Sequence, residues 1–371
     1  MNNHVFFPDY KNSILGIPNS ILSYYGAKTH HATLPVLDEK LSKGYRNIVL
    51  LVLDGMGVDI LNTHFKDGFL AENCVAELSS VYPCTTTSAL TTLESGLTPI
   101  EHGWLGWSSY FKEVDECVDL FTGNISGTER ASKNSGIAWQ VLAYKNLFEQ
   151  VKEADSSVEC CRVSSFGEYK TKTNEEVCNH IEKLCQKDGR KYIYAYHFHP
   201  DRDIHKYGRN DERVKADIVL FDRQIEHLSR KLTDTLLIVT ADHGLTDSEE
   251  LLIENFPEIG ECLAKRLCRE ARSISFFIKP EFMDIFPKRW ESEFGNDFIL
   301  MTGQEALEKG FFGSGKPHNR VKDLIGDYVA IATGTRSLRS RNEKGEAKNF
   351  KADHAGLRRE EMIVPLILIE R

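Results

Sequence analysis

The stretch Asn47-Ile48-Val49-Leu50-Leu51-Val52-Leu53-Asp54-Gly55 constrains the fold more than any other part of the chain. Six consecutive aliphatic residues, in a window too short for a buried helix, predict a core strand of a parallel sheet covered on both faces. Covering both faces takes helices on each side, so the expectation is an α/β protein with a mostly parallel central sheet. Asp54 follows the carboxyl end of the strand, where open α/β sheets place their ligands, and is the first candidate for chemistry. Asp-Gly after a strand is also an ordinary turn, so Asp54 gains meaning only through partners elsewhere.

At 371 residues the chain accommodates one large α/β domain with an insertion, or two domains of ordinary size. A net charge of −9 argues against a general nucleic-acid-binding surface, and no stable nucleic-acid complex is expected. No apolar run reaches the length needed to cross a bilayer, and Met1 is followed by Asn2, Asn3 and His4 rather than by a basic and then apolar leader. A cytoplasmic protein is the expectation. The nine cysteines are scattered and include no C-x-x-C pair, which favours reduced, mostly buried thiols over disulfides or structural zinc on cysteine.

Residues 1–46 read as an arm with one helix, around Ile21-Leu22-Ser23-Tyr24-Tyr25, packed on a core that begins at residue 47. After Asp54, Gly55 and Gly57 allow a tight turn into a helix, but the third glycine of a dinucleotide fingerprint is missing. Further on, Pro83-Cys84-Thr85-Thr86-Thr87 leads into Ala89, Leu90 and Leu93 at helical spacing, with Gly96 as a stop, so the threonines sit at a helix N-terminus. Hydroxyls there cap helices routinely. The other reading is a nucleophile favoured by the positive end of the helix dipole, a part that bare chemistry allows to Thr85, Thr86 or Thr87 alike.

A second strand, Lys191 to Phe198, runs into His199-Pro200-Asp201-Arg202-Asp203-Ile204-His205. Asp201 and His205, four apart, share one face of a helical turn and are able to grip one cation, whereas His197 and His199 read as structural. A helix over roughly Asp211 to Leu232 precedes a third strand, Thr235 to Thr240, which ends in Ala241-Asp242-His243-Gly244 and repeats the opening design. Mixed carboxylate and imidazole ligands suit zinc, and manganese or iron less specifically. Composition shifts over residues 248–349, which read as an inserted cap over a core made of 47–247 and 350–371. Within it Lys316 and His318 are read as solvated. His354, in Asp353-His354-Ala355-Gly356, is the last candidate ligand, and Pro365 demotes the final strand to an edge or a distorted position.

The ordered set of Asp54-Gly55, Pro83-Cys84-Thr85-Thr86 with Gly96, Glu101-His102-Gly103, Asp201 to Gly208, Thr240-Ala241-Asp242-His243-Gly244 and Asp353-His354-Ala355-Gly356 spans most of the chain. In order and local context it resembles the alkaline phosphatase superfamily, most closely its type I phosphodiesterase/nucleotide pyrophosphatase branch. The resemblance implies an alkaline phosphatase-like fold and two divalent metal ions, zinc with manganese as the alternative. It assigns Asp201, His205 and His354 to one ion, and Asp54, Asp242, His243 and the Thr86 oxygen to the other. Three carboxylates against two dications leave one positive charge, cancelled when Thr86 ionises. The implied reaction is in-line attack of Thr86 on phosphorus, a phosphothreonine-type intermediate, its hydrolysis, and net retention.

The implied substrate is a small-molecule phosphodiester or nucleotide-like compound. A phosphomonoesterase or phosphonate hydrolase of the same superfamily is the alternative within enzymes, and a catalytically silent metal-binding scaffold the alternative of another class. Cys84 lacks the Pro/Ala-x-Arg context of a sulfatase. The chain departs from the pattern at Gly106, where many members of the branch carry an asparagine that contacts a phosphate oxygen, and no replacement is legible. The aromatic stretch after His102 and the insertion before Asp353 are expected to build the substrate pocket.

Overall fold

The computed structural model describes residues 5–371. Its central sheet has six strands in the order Cys74–Ser79, Ile363–Glu370, Thr235–Thr240, Asn47–Leu53, Lys191–His197 and Glu159–Val163. The last four of these run parallel, in register from Asn47 opposite both Lys191 and Thr235, and Ile363–Glu370 runs antiparallel to its two neighbours. Every residue from Asn47 to Leu53 is buried, as a strand covered on both faces requires. Two groups of helices pack around the sheet. Gly16–Tyr24 meets Pro35–Leu41, Thr86–Ser95 and Leu147–Ala154, while Glu212–Ser229 meets Val58–Phe65 and Asn174–Cys185. Among the described residues no helix is long and apolar enough to cross a membrane.

The N-terminal arm holds two helices rather than one. The second, Pro35–Leu41, opens on a proline at its first position, where the missing N–H has no intrahelical partner to lose. Its Lys40, with Lys43 and Tyr45 beyond it, closes on Glu370 at the end of the last strand, at 2.5, 2.5 and 2.6 Å. Hydrogen bonds from Lys40, then Lys43 and Tyr45, hold the Glu370 carboxyl down at about 2. A carboxylate depressed on folding contributes stability above its usual range and loses it as pH falls towards the folded value. The melting-temperature gap between the wild type and Glu370→Gln is therefore expected to be constant near neutral pH and to shrink by more than half between about pH 5 and pH 3. The group is partly exposed, so the gap itself is small.

The final strand decides between the two positions expected for Pro365. Ile363–Glu370 is an interior strand, not an edge, with Pro365 opposite Glu77. A register shift lies between Leu366 and Ile367, and the ladder to Thr235–Thr240 starts only at Ile367. The proline thus occupies a distorted position where the second ladder has not begun.

A second, antiparallel sheet lies within residues 268–332, in the order Cys268–Arg269, Ser273–Phe276, Tyr328–Ala332 and Phe298–Thr302. Phe276, Phe286, Trp290, Phe294 and Phe298 give it an aromatic core of its own. It is tied to the helical turn Arg359–Met362, just before the last strand, by Arg272, whose Nε and Nη2 each lie 2.7 Å from the Glu361 carboxylate, both side chains being fully buried. Cys117 and Cys268, 151 residues apart, form a disulfide, which overturns the reading of all cysteines as reduced. Nothing local announces such a pair, because tertiary contact alone brings Glu116–Asp119 against Cys268–Arg269. The other seven cysteines are free, and all but Cys74 are buried.

Candidate metal centre and nucleophile

Four chain segments leave the carboxyl ends of the sheet and converge. Asp54 ends the first strand, and its carbonyl accepts the Asp201 N–H at 2.9 Å, which fixes the start of the helix Asp201–Tyr207 beside it. Gly55 makes this approach possible. It has φ +74°, its N–H donates to Asp242 Oδ1 at 3.1 Å, and a Cβ there would sit 2.8 Å from the Asp201 Cα. Asp242 Oδ1 also accepts the N–H of His243 at 2.9 Å. The helical turn expected from the Asp201 and His205 spacing is present, with His205 Nε2 3.3 Å from Asp201 Oδ1.

All three candidate histidines are oriented the same way. Nδ1 of His205 faces the Ala352 carbonyl at 2.8 Å, that of His243 the Gly244 carbonyl at 3.1 Å, and that of His354 the Cys84 carbonyl at 3.2 Å. Donation from each Nδ1–H to its carbonyl leaves Nε2 as a lone pair aimed inward, the arrangement that orients metal-binding imidazoles. His243 Nε2 lies 3.4 Å from Asp54 Oδ1 and 3.4 Å from Asp242 Oδ2, and His354 Nε2 lies 3.9 Å from Asp201 Oδ1. The His243 and His354 rings stack at 3.9 Å.

Asp54 Oδ1, Asp201 Oδ1 and Asp242 Oδ2 are buried and accept no hydrogen bond, although each lies within 4 Å of an imidazole nitrogen. Buried carboxylate oxygens without a donor are costly unless a cation meets them. Burial, then the neighbouring carboxylates Asp242 and Asp201, push the Asp54 carboxyl well above its usual range; burial and Asp242 do the same to Asp201. Burial pulls His205 down to about 4 and His354 well below its ordinary value, so these imidazoles are neutral and free to ligate. The donor set therefore fits two divalent cations. Asp54, Asp242 and His243 form one compact group; Asp201 lies in a second with His243 and His354. His205 and His354 also share a group with Asp353, so the two halves of the expected ligand set touch through His243 and His354.

Thr86 is the first residue of the helix Thr86–Ser95, which Gly96 ends at φ +76°, as the sequence predicts. Its Oγ1 is 3.2 Å from His243 Nε2, whereas the Thr85 hydroxyl donates to Glu270 at 2.5 Å. Geometry thus separates two threonines that sequence chemistry left equivalent, and Thr87 Oγ1 is buried away from any partner. His197, buried and pulled down to about 4 by burial, stays in the core; His199 pairs with Asp203. Lys316 and His318 are outside the cavity that opens on Thr86.

That cavity has a volume of about 480 Å³ and runs from Thr85 and Thr86 past Trp107 to Lys348 and Phe350. Sequence reasoning missed two acids on it. Asp353 is buried beside His354 and pairs with Arg339. Its signal was present, since Asp353-His354 repeats the Asp242-His243 dipeptide. Glu270 left no such trace. One of its oxygens accepts the Thr85 hydroxyl and the Trp107 N–H, the latter at 2.7 Å. Burial, with Asp353 adding to it, pushes its carboxyl up to about 7. The turn that carries Glu270 also explains the missing asparagine, because a Cβ on Gly106 would lie 2.3 Å from Arg269 Cγ.

Comparison with known proteins places these residues in a family. Residues 48–288 match the family model described as type I phosphodiesterase/nucleotide pyrophosphatase. A search of the curated proteins finds no match. Among solved structures, the fold is similar to murine ectonucleotide pyrophosphatase/phosphodiesterase 5, with 17% identity over 87% of this chain and 88% of that one, at a TM-score of 0.64. An inactive form of the same murine protein in complex with AMP gives 17% identity, 86% and 87% coverage and a TM-score of 0.63. Phosphonoacetate hydrolase from Sinorhizobium meliloti 1021, in complex with phosphonoformate, gives 16% identity, 88% and 90% coverage and a TM-score of 0.63.

Proposed function

Since the chain belongs to the type I phosphodiesterase/nucleotide pyrophosphatase family of the alkaline phosphatase superfamily, whose members are metal-dependent phosphoric ester hydrolases, we propose that it cleaves small phosphodiesters or nucleotide-like pyrophosphates with Thr86 as nucleophile. The observation that carries this reading is the convergence of inward-facing imidazole nitrogens and three donor-free buried carboxylate oxygens on one threonine hydroxyl. Asp201, His205 and His354 would hold one divalent ion, zinc or manganese, and Asp54, Asp242, His243 and Thr86 Oγ1 the other. Ions at these positions would lower the pKa of the Thr86 hydroxyl and offset charge on the phosphoryl oxygens.

The chain's own part is positioning. The helix that starts at Thr86 fixes the hydroxyl at its positive end, and Oγ1 lies 3.2 Å from His243 Nε2, so both atoms can reach the same ion. Thr86 Oγ forms a bond to phosphorus as the bond to the leaving alkoxide or phosphate breaks, giving a phosphothreonine ester. Water then attacks phosphorus from the vacated side, Thr86 Oγ leaves and regains its proton, and two inversions give net retention.

The test compares metal-loaded protein on bis-p-nitrophenyl phosphate, p-nitrophenyl phosphate and phosphonoacetate. A higher kcat/KM on the diester is the expected result, with about two equivalents of transition metal in protein purified without chelator. Preference for the monoester or the phosphonate would move the assignment to a sister activity. No bound metal, with no turnover restored by zinc or manganese, would leave only a silent scaffold.

A further inference from the structure

The residues around the reacting centre carry more negative charge than the ligand set accounts for. With Thr86 ionised, Asp54, Asp201 and Asp242 balance two dications, and Asp353 is already paired with Arg339. Glu270 is the surplus. It stands on the cavity wall beside Thr85 and Thr86, anchored through one oxygen by the Thr85 hydroxyl and the Trp107 N–H. It lines the same cavity as Thr86, Asp201, His205 and His354, so its charge faces the candidate metal centre.

The basic residues of the cavity offset it only in part, because none forms an ion pair with it. Arg339 is engaged by Asp353 and lies 3.3 Å from Glu250. Arg269 packs on Gly106 and over the Phe312 ring and donates to the Ile325 carbonyl. Lys348, 5.3 Å above the Phe350 ring, is shared among the fields of Asp119, Asp353 and Glu270. The two donors next to the Gly106 position, the Trp107 N–H and the Thr85 hydroxyl, point at Glu270 rather than at the cavity. An anion entering beside Thr86 therefore meets a carboxylate where an uncharged amide donor would be favourable.

We propose that Glu270 is a specificity-determining residue that disfavours phosphate dianions and so selects phosphorus centres bearing a single negative charge, diesters over monoesters. This rests on the hydrolase reading above. A fixed negative charge a few ångströms from the phosphoryl oxygens acts on each unit of substrate charge, so a dianion suffers about twice what a monoanion does. Removing the charge without changing shape should help the monoester more than the diester.

The experiment uses the metal-loaded full chain at pH 8.5 and the isosteric Glu270→Gln, which keeps an acceptor for Thr85 and Trp107. Expected are a rise of about tenfold in kcat/KM for p-nitrophenyl phosphate and a change of less than about threefold for bis-p-nitrophenyl phosphate. Calorimetry with inorganic phosphate, a dianion at this pH, should show about tenfold tighter binding to Glu270→Gln at unchanged metal content. Glu270→Asp keeps the charge and should keep the wild-type preference. An unchanged diester-to-monoester ratio together with unchanged phosphate affinity overturns the proposal, as does loss of the preference in Glu270→Asp, which would make shape rather than charge responsible. If the wild type cleaves neither ester, the hydrolase reading fails, and phosphate affinity alone still decides the part played by Glu270.

Discussion

Thr86→Ala is expected to lower kcat on bis-p-nitrophenyl phosphate by at least about a thousandfold while the protein keeps most of its metal. The reason lies in the arrangement of donors. Thr86 is one oxygen among the seven proposed ligand side chains, whereas Asp54, Asp242 and His243 form a compact group without it. Losing the hydroxyl removes the atom that bonds to phosphorus but leaves both ligand groups standing. Neighbouring hydroxyls are poor substitutes, since Thr85 is committed to Glu270 and Thr87 is buried. Steady-state kinetics with metal analysis on the same preparation decides the matter. A variant within tenfold of wild type would remove Thr86 from the role of nucleophile, and a variant stripped of metal would make it chiefly a ligand.

The second large effect concerns stability. Arg272→Met should cost roughly 3–5 kcal/mol, the range for stranding one partner of a buried ion pair. The Arg272 guanidinium serves three groups: both Glu361 oxygens, the Arg336 carbonyl at 2.8 Å and the Gly334 carbonyl at 2.9 Å. Glu361 in turn accepts the N–H groups of Gly356 at 2.8 Å and Arg358 at 3.2 Å. Without its partner the Glu361 charge stays buried and uncompensated. Urea melts of the single variant and of Arg272→Met/Glu361→Gln test this account, with part of the loss recovered in the double variant because the stranded charge is gone. A double variant worse than the single would place the cost in packing instead. The pair also braces the Asp353–Gly356 loop, so Arg272→Met is expected to weaken metal retention at His354.

Much of the fold and site was legible because each feature had a local cause. Six aliphatic residues in a row read as an interior strand, a threonine run before helical spacing as a helix start, and an Asp and a His four apart as one face of a helical turn. The six segments were recognisable together because their order in the chain is a pattern in itself. What stayed hidden depends on distant parts of the chain meeting. Cys117 and Cys268 pair across 151 residues, and Arg272 finds Glu361 across 89. Glu270 lies in a short turn between strands, with no neighbour in sequence to mark it. The second helix of the arm was a nearer miss, since Pro35 at its first position was a readable start signal. For Pro365 the rule left an edge and a distorted position open, and the register shift beside it makes the second compatible with an interior strand.

The placement of Ile363–Glu370 inside the sheet sets a timetable for synthesis. Among the described residues the Cys74–Ser79 strand has no neighbour in the sheet except this one, so for nearly three hundred residues of elongation its only backbone pairing is the short bridge of its last residue, Ser79, to the segment around Ser13. Over the same interval Thr235–Thr240 is a bare border of a half-built sheet, and the third imidazole, His354, has yet to emerge. A nascent chain therefore carries clustered acids and unpaired strand edges together, the condition in which association with other chains competes with folding. Closure of the sheet and completion of the proposed ligand set therefore arrive almost together, because His354 lies only nine residues before the strand that enters between Cys74–Ser79 and Thr235–Thr240.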